Sequence, residues 1–288
     1  MIHALITIYH PSEAVKQNIG CIAQQVDLVD ICDNSPASNH TLFADLESAG
    51  KLRYHFFGEN LGISRAFNRV LKDDSLGWED DHFVIFFDQD SQVEPGFVEK
   101  MISTFTRTEA MHPIGCMGSA YYNIHLGRIE TPEAKDRLTE DVFSVTRVLT
   151  SSMLCRYGTL RSVDFWNEDV FLDMADWDLC WRIRASGKLC CLTDRLSFRH
   201  HLGIGSKKLG RLVMGVGHPF REYYQIREAL YLMGRNYTPV KYRFRFLATL
   251  LIRSPLHLIF WDHRAQRCKY ICKGIADFCK KKKGPLDL

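Results

Sequence analysis

Residues 83–90 have the sequence Phe-Val-Ile-Phe-Phe-Asp-Gln-Asp and decide the fold of this chain. An unbroken run of five apolar residues predicts a strand buried on both faces, as in a mostly parallel α/β sheet. Such sheets bind ligands at the carboxyl ends of their strands. Asp88 and Asp90 lie at that end, one residue apart. Two carboxylates there suit a divalent cation held over a substrate diphosphate, although an ordinary acidic turn would also explain them.

The first ninety residues alternate between strand and helix patterns. Further strands are predicted at residues 4–9, 26–32 and 51–57, each followed by a helical segment. This alternation predicts a doubly wound, mostly parallel sheet with right-handed crossovers. Polar turns at residues 9–11, 33–35 and 88–90 close three of the strands, and we expect them to converge at one edge of the sheet.

Composition excludes several classes of protein. The 288 residues are 46% hydrophobic and 25% charged, as in a globular protein, and the net charge of +3 is too small to indicate nucleic acid. No signal peptide is recognised and the ten cysteines match no zinc pattern, so we expect reduced thiols in the cytosol. The longest apolar stretch, 246–261, falls short of the ~20 residues of a spanning helix.

The absence of glycine-rich motifs narrows the type of nucleotide site. No G-x-G-x-x-G follows the first strand, which disfavours a Rossmann dehydrogenase. The G-x-G-T-R loop of a nucleotidyltransferase is also missing, and residues 205–211 match a P-loop too poorly to count. A sugar nucleotide needs no glycine loop, because a metal ion can carry the diphosphate charge.

A second acidic stretch precedes a predicted helix from Trp177 to Ser186, which Gly187 would end as a C′ residue. Asp176 occupies the N-cap position of that helix, and Asp173 and Asp178 would be favoured there by the helix dipole. The alternative is catalytic: one carboxylate that takes a proton from a hydroxyl nucleophile.

Six short motifs follow one another over residues 4–232. They are Thr7-Ile8-Tyr9-His10-Pro11, Asp33-Asn34-Ser35, Asn60-Leu61-Gly62 with Ala66 and Asn68, Asp88-Gln89-Asp90, residues 176–182, and the His-His-Leu-Gly of residues 200–203. Their order and spacing resemble those of the family 2 inverting glycosyltransferases, and within that family the bacterial rhamnosyltransferase-like branch. The resemblance implies the GT-A fold, here an α/β doubly wound sheet with a C-terminal helical extension.

The same resemblance implies a role for each motif. The nucleotide sugar would be bound by Thr7, Tyr9, Asp33, Asn34, Asn60, Gly62, Asn68, Asp88 and Gln89. The metal, Mg²⁺ or Mn²⁺, would be held by Asp90 with Asp88 and His200, and His201 competes with His200 for that role. Asp176 would be the general base. The family pattern has Glu-Asp where this chain has Ala175-Asp176, so the acidic neighbour is lost and Asp173 is a candidate substitute.

The implied reaction is transfer of L-rhamnose from dTDP-L-rhamnose to a saccharide or lipid-linked saccharide of a bacterial surface polysaccharide. Two alternatives stay open. One is a transferase of the same fold that uses a UDP-linked hexose, N-acetylhexosamine or galactofuranose. The other is a non-catalytic relative that binds a carbohydrate or a partner protein.

Three segments are predicted: a nucleotide-sugar-binding half (1–110), an acceptor-binding and catalytic half (111–217) with a mobile polar loop at 123–141, and a basic helical extension (218–288). The extension combines cations with apolar residues at 241–253, and residues 264–283 hold eight Lys or Arg. It suits either peripheral contact with an anionic membrane or packing on the sheet. We therefore expect a cytoplasmic protein that contacts the inner face of the membrane.

Overall fold

The computed structural model describes residues 1–123, 127–130, 134–200, 205–209 and 212–287. The strands are β1 Ile2–Ile8, β2 Leu28–Asp33, β3 Leu52–Phe56, β4 Phe83–Asp88, β5 Ile114–Asn123, β6 Arg128–Glu130, β7 Ala134–Arg137, β8 Val142–Val145, β9 Leu154–Arg156, β10 Leu189–His200, β11 Gly205–Leu209 and β12 Leu212–Val216. The helices are α1 Glu13–Ala23, α2 His40–Ser48, α3 Gly62–Leu71, α4 Phe97–Glu109, α5 Tyr157–Ser162, α6 Ala175–Ala185, α7 Arg221–Met233, α8 Val240–Ala248, α9 Ser254–Phe260 and α10 Arg264–Cys279.

One mixed sheet with mostly parallel central strands organises the described residues. Its order is β3-β2-β1-β4-β9-β5-β10-β8-β7, with β6 on β5. Strands β3, β2, β1 and β4 are parallel, whereas β9 runs antiparallel to both β4 and β5. The parallel half is the predicted doubly wound sheet, and the antiparallel strands belong to the second half of the chain.

Strand β4 is covered on both faces, as its unbroken apolar run predicted. Val84 and Phe86 pack in the core beneath α3, α5 and α6. Ile85 and Phe87 pack in the opposite core beneath α1 and α4. Because successive side chains of a strand alternate between faces, two helical layers need this continuous apolar sequence.

Two local predictions were wrong. Residues 123–141 were expected to form a mobile loop, yet the described part of that segment includes β6, paired with β5, and β7, paired with β8. A polar segment can form a strand when the edge of a sheet supplies its hydrogen bonds, and local propensity does not predict such pairing. Helix α6 begins at Ala175 with Met174 as N-cap, so Asp176 lies in the first turn and is not the cap.

The C-terminal helices pack on the rest of the molecule. Tyr242 and Phe246 of α8 lie against Trp177 and Trp181 of α6. Helices α7 and α10 approach closely at Gly274, where a Cβ would meet the carbonyl oxygen of Tyr223 at 2.8 Å. The C-terminal extension therefore packs on the catalytic part of the chain, through contacts of α8 with α6. Among the described helices, none has the length and apolar character to cross a bilayer.

Gly62, the first residue of α3, lies against the backbone of Phe171, and its substitution tests this close approach. Its φ is +75°, and a Cβ there would lie 2.5 Å from the carbonyl oxygen of Phe171. We expect Gly62→Ala to lower the free energy of unfolding by about 1–3 kcal/mol more than Gly50→Ala, because a rigid backbone atom must move. Gly50 has a φ of +69° with open space around its Cβ position, so it controls for backbone strain. Equal losses in urea unfolding would contradict the close approach.

Candidate active site

The register of the parallel strands brings the polar ends of β1, β2 and β4 together. Ile8 is paired with Asp33 and Thr7 with Asp88. Gln89 then ties two of the turns, because its side chain accepts a hydrogen bond from the Tyr9 N–H at 2.8 Å and donates to the Tyr9 carbonyl at 3.3 Å. The expected convergence of the three turns is present in the structure.

A cavity of about 330 Å³ opens at this edge. Seven of the residues predicted to bind the donor line it: Thr7, Tyr9, Asn34, Asn60, Gly62, Asp88 and Gln89. The other lining residues are Ile8, Ile63, Phe171, Leu172, Phe220 and Tyr224. A pocket of this size with apolar walls and a few polar groups is typical of a small-molecule site.

Asp33 supports the cavity from behind and does not line it. Its buried carboxylate accepts hydrogen bonds from the Ser35 N–H at 2.8 Å, from the backbone and side chain of Asn39, and from the Tyr54 hydroxyl. Burial opposes ionisation, but these hydrogen bonds outweigh it and lower the pKa of Asp33. The carboxylate therefore fixes the turn after β2.

Asn34 joins that turn to the start of α3. Its side-chain oxygen accepts from the Leu61 N–H at 3.1 Å, and its amide donates to the Gly62 carbonyl at 3.2 Å. Asn60 closes the same corner by accepting from the Gly62 N–H at 3.0 Å. Asn68 is placed elsewhere, since its buried amide bonds both backbone groups of Trp166 and does not line the cavity.

The aromatic wall of the cavity was missed by sequence reasoning. Phe171 stacks on Tyr224 with ring centroids 5.0 Å apart and an interplanar angle of 9°. Phe220, 38% exposed, completes this wall beside Tyr224. Two of these rings come from the segment at the start of α7, and no local pattern relates that segment to β1. The repeated aromatics of residues 220–224 were the available signal.

Asp88 and Asp90 offer the hard oxygen donors that a divalent cation requires. Both side chains are half-buried at the end of β4. The Ser151 hydroxyl donates to Asp88 Oδ2 at 2.6 Å, which orients that carboxylate. The donor set therefore fits Mg²⁺ or Mn²⁺. Strand β10 ends at His200, whose side chain lies outside the described part of the structure, as does the whole of His201.

Asp176 lies in the first turn of α6, four residues after the cavity-lining Leu172, and neither it nor Asp90 lines the cavity itself. Burial raises the pKa of its carboxyl to about 7, against the opposing effect of the Arg147 guanidinium, and the negative charge of Asp88 raises it further. A carboxyl with a pKa near neutrality is suited to general base catalysis.

Asp173, the candidate substitute for the lost acidic neighbour, has another partner. Its side chain is 5% exposed and forms an ion pair with Arg221 of α7, in which Arg221 Nε donates to Oδ1 at 3.0 Å. Burial opposes charge on the guanidinium, but Asp173 and the more distant Asp88 raise the pKa of Arg221. Asp173 is therefore paired with the Arg221 guanidinium in this structure.

Glu228 of α7 holds the segment that leads to Asp176. Its fully buried carboxyl accepts from the N–H groups of Phe171, Leu172 and Asp173 at 2.8, 3.2 and 2.9 Å. Burial and the charge of Asp173 raise the pKa of Glu228 to about 7. The side chain of Glu228 thus reaches three successive backbone donors.

Comparison with known proteins agrees with this geometry. Residues 5–159 match the model of glycosyl transferase family 2. The chain is similar to the dTDP-rhamnosyl transferase RfbF of Shigella flexneri, with 26% identity over 264 residues that cover 88% of this chain and 87% of the relative.

Solved structures share the fold at low identity. TarS of S. aureus superposes with a TM-score of 0.62 and 13% identity over 97% of this chain, which spans 49% of the TarS chain. The TarS 1-349 complex with UDP-GlcNAc gives 0.61 with 81% of that chain covered. GalNAc-T7 with UDP, GalNAc and Mn²⁺ gives 0.60 at 11% identity, over 97% of this chain and 56% of that one.

The family match extends over more than half of the chain, and its strands carry the motif residues that meet at the cavity. This chain belongs to the family 2 glycosyltransferases and is a glycosyltransferase of the GT-A fold.

Proposed function

We propose that the enzyme transfers L-rhamnose from dTDP-L-rhamnose, with inversion, to a saccharide or lipid-linked saccharide acceptor of a bacterial surface polysaccharide. One observation carries the reaction type: Asp88 lines the donor cavity, and Phe171 and Leu172 of the same cavity lead into the first turn of α6, where Asp176 lies. The similarity to RfbF supports rhamnose as the sugar. A UDP-linked sugar is the alternative donor.

The donor would occupy the cavity at the ends of β1, β2 and β4. Its base would lie among Tyr9, Phe171 and Tyr224, since aromatic side chains stack on flat rings. Asp88 and Asp90 would hold Mg²⁺ or Mn²⁺, which neutralises the diphosphate and the charge that develops on the leaving group. Arg221 lies near Asp88 and adds a positive charge to this side of the cleft.

The acceptor hydroxyl would approach the anomeric carbon from the side of Asp176. As the new carbon–oxygen bond forms, the bond from the anomeric carbon to the diphosphate breaks and the electron pair leaves with the nucleotide. The hydroxyl proton passes to the Asp176 carboxylate. A single in-line displacement of this kind inverts the anomeric configuration. Placement of Asp176 depends on α6 and on the backbone held by Glu228.

We also propose that the enzyme works in the cytoplasm at the inner face of the membrane. All ten cysteines are free, which agrees with a reducing compartment. Lipid-linked acceptors would be met at that surface, and the basic extension would supply the contact.

Asp176→Asn tests the base. Transfer from dTDP-L-rhamnose to a saccharide acceptor should fall by roughly 10²–10⁴-fold, because the amide cannot take the hydroxyl proton. Donor affinity, measured by calorimetry, should stay unchanged. Asp45→Asn, a substitution on the exposed surface of α2, should transfer like the wild type. Transfer by Asp176→Asn at the wild-type rate would remove the base assignment, and a wild type that never transfers any sugar would favour the non-catalytic alternative.

The raised pKa predicts a pH profile. Because the base must be ionised, the transfer rate should rise with pH through about 7, the pKa of Asp176. Arg147→Gln removes a charge that favours the ionised form, so the rising limb should move to higher pH. Arg161→Gln, which removes an exposed cation paired with Asp80, is the matched control and should leave the limb in place. A rising limb at the same pH in Arg147→Gln and in the wild type would contradict the assignment of Asp176 as the base.

Thermal shifts with dTDP, UDP and GDP, each with and without Mn²⁺, test the donor and the metal together. At about a hundredfold excess over Kd, dTDP with Mn²⁺ should add about 2–3 kcal/mol to the stability of the folded state. EDTA or Asp90→Asn should remove the metal-dependent part, whereas Asp45→Asn, on the exposed surface of α2, should not. His200→Ala and His201→Ala, compared in the same assay, decide which imidazole is a ligand. Equal shifts for all nucleotides, regardless of metal, would contradict the proposal.

A further inference from the structure

The helical run 240–260 places apolar side chains on its solvent face. Helix α8, a π-helical turn at Thr249–Arg253 and α9 follow one another directly. We call the following exposed residues, each 40–73% accessible, the apolar stripe: Val240, Phe244, Leu247, Leu251, Ile252, Ile259 and Phe260. Spacings of three and four residues put most of them on one face, while Tyr242 and Phe246 are buried on the other. Single exposed apolar residues are ordinary, whereas a cluster of seven within 21 residues indicates a binding surface.

The charges beside the apolar stripe indicate what covers it. Residues 240–261 contain Lys241, Arg243, Arg245 and Arg253 and no acidic residue. A stripe of Phe, Leu and Ile flanked by cations is complementary to an anionic lipid surface, which attracts each cation and accepts the apolar side chains. A second copy of the chain fits less well, because a two-fold contact would place the same four cations against each other.

The face of α8 opposite the stripe packs beside the proposed base. Phe246 stacks on Trp177, the residue after Asp176, at an interplanar angle of 15°. The Arg245 guanidinium lies 5.4 Å from the centre of the same ring, and Arg147 lies over it at 4.3 Å. Helix α8 therefore carries lipid-facing side chains on one face and supports the first turn of α6 with the other.

We propose that the apolar stripe docks on an anionic bilayer and so presents the cleft beside Asp176 to acceptors held in that bilayer. This inference rests on the proposed transfer to lipid-linked acceptors and assigns the contact to 240–260. The lysine-rich end at 280–283 fits a bilayer less well, because among the described residues 276–287 no large apolar side chain is exposed beside it, and Lys282 and Lys283 form ion pairs with Asp287 and Asp169.

Vesicle co-sedimentation of the full chain tests the docking surface. The wild type should bind vesicles of phosphatidylglycerol and phosphatidylcholine in equal parts, and bind pure phosphatidylcholine at least about tenfold more weakly. Phe244→Gln with Leu251→Gln should weaken binding to the mixed vesicles by at least about tenfold, since the buried apolar area sets the affinity. Met111→Gln with Ile275→Gln removes two exposed apolar side chains outside the stripe and should bind like the wild type.

Three outcomes would overturn the assignment. In the first, the stripe variant binds vesicles as well as the wild type does. In the second, Lys280→Gln with Lys281→Gln abolishes binding although the stripe is intact. In the third, the wild type binds no vesicles and is a dimer in light scattering, and the stripe variant is a monomer. Nucleotide-sugar affinity of the stripe variant separates the two hypotheses. It should equal that of the wild type, whereas failure of the wild type to bind any nucleotide sugar would remove the proposed function and leave the vesicle result standing.

Discussion

The parallel hydrogen-bond ladder between β1 and its two neighbours is the constraint on which the site depends. It aligns Ile8 with Asp33 and Thr7 with Asp88, so a shift of one residue would turn every side chain of β1 to the opposite face. A shift is opposed because it would draw the carboxylates at the strand ends toward the apolar cores that cover β4 on both faces, where an unpaired charge is costly. The same burial that stabilises the sheet therefore fixes where the polar strand ends lie and how the cavity is shaped.

The electrostatics of Asp176 oppose the stability of the fold. Its pKa in the folded protein is about 7 against an ordinary value of 3.8, so the folded state binds this proton more tightly than the unfolded chain does. The resulting stabilisation is complete below the ordinary value and is lost as pH rises to 7. Folding disfavours ionised Asp176, the form that the proposed base requires, and Arg147 partly compensates because its charge favours ionisation.

Sequence could predict the parts of the site that local patterns encode. The strand ends, the Asp88–Gln89–Asp90 turn and the corner at Asn60–Gly62 follow from apolar runs, polar turns and motif spacing. Thr7, Asp88, Gln89, Asn60 and Gly62 of these segments line one cavity. The ion pair of Asp173 with Arg221 and the three backbone contacts of Glu228 join segments about 50 residues apart. Such contacts depend on how helices pack. The N-cap interpretation of Asp176 failed because α6 begins at Ala175, one residue before Asp176. The predicted loop at 123–141 failed because β6 and β7 form hydrogen bonds with β5 and β8, a pairing that local sequence patterns do not predict.

Helices α7 and α8 link the aromatic wall of the cavity, the first turn of α6 and the outer surface of the extension. Tyr224 stacks on Phe171 in the cavity, and Glu228 on the same helix orders the backbone before Asp176. Phe246 of α8 then packs on Trp177 at the start of α6. These contacts explain why a catalytic sheet with an ordinary core retains a C-terminal extension. Without α7 the cavity loses one aromatic wall, and without α8 the first turn of α6 exposes Trp177 and Trp181 to solvent. The extension is thus part of the site's construction as well as its outer surface.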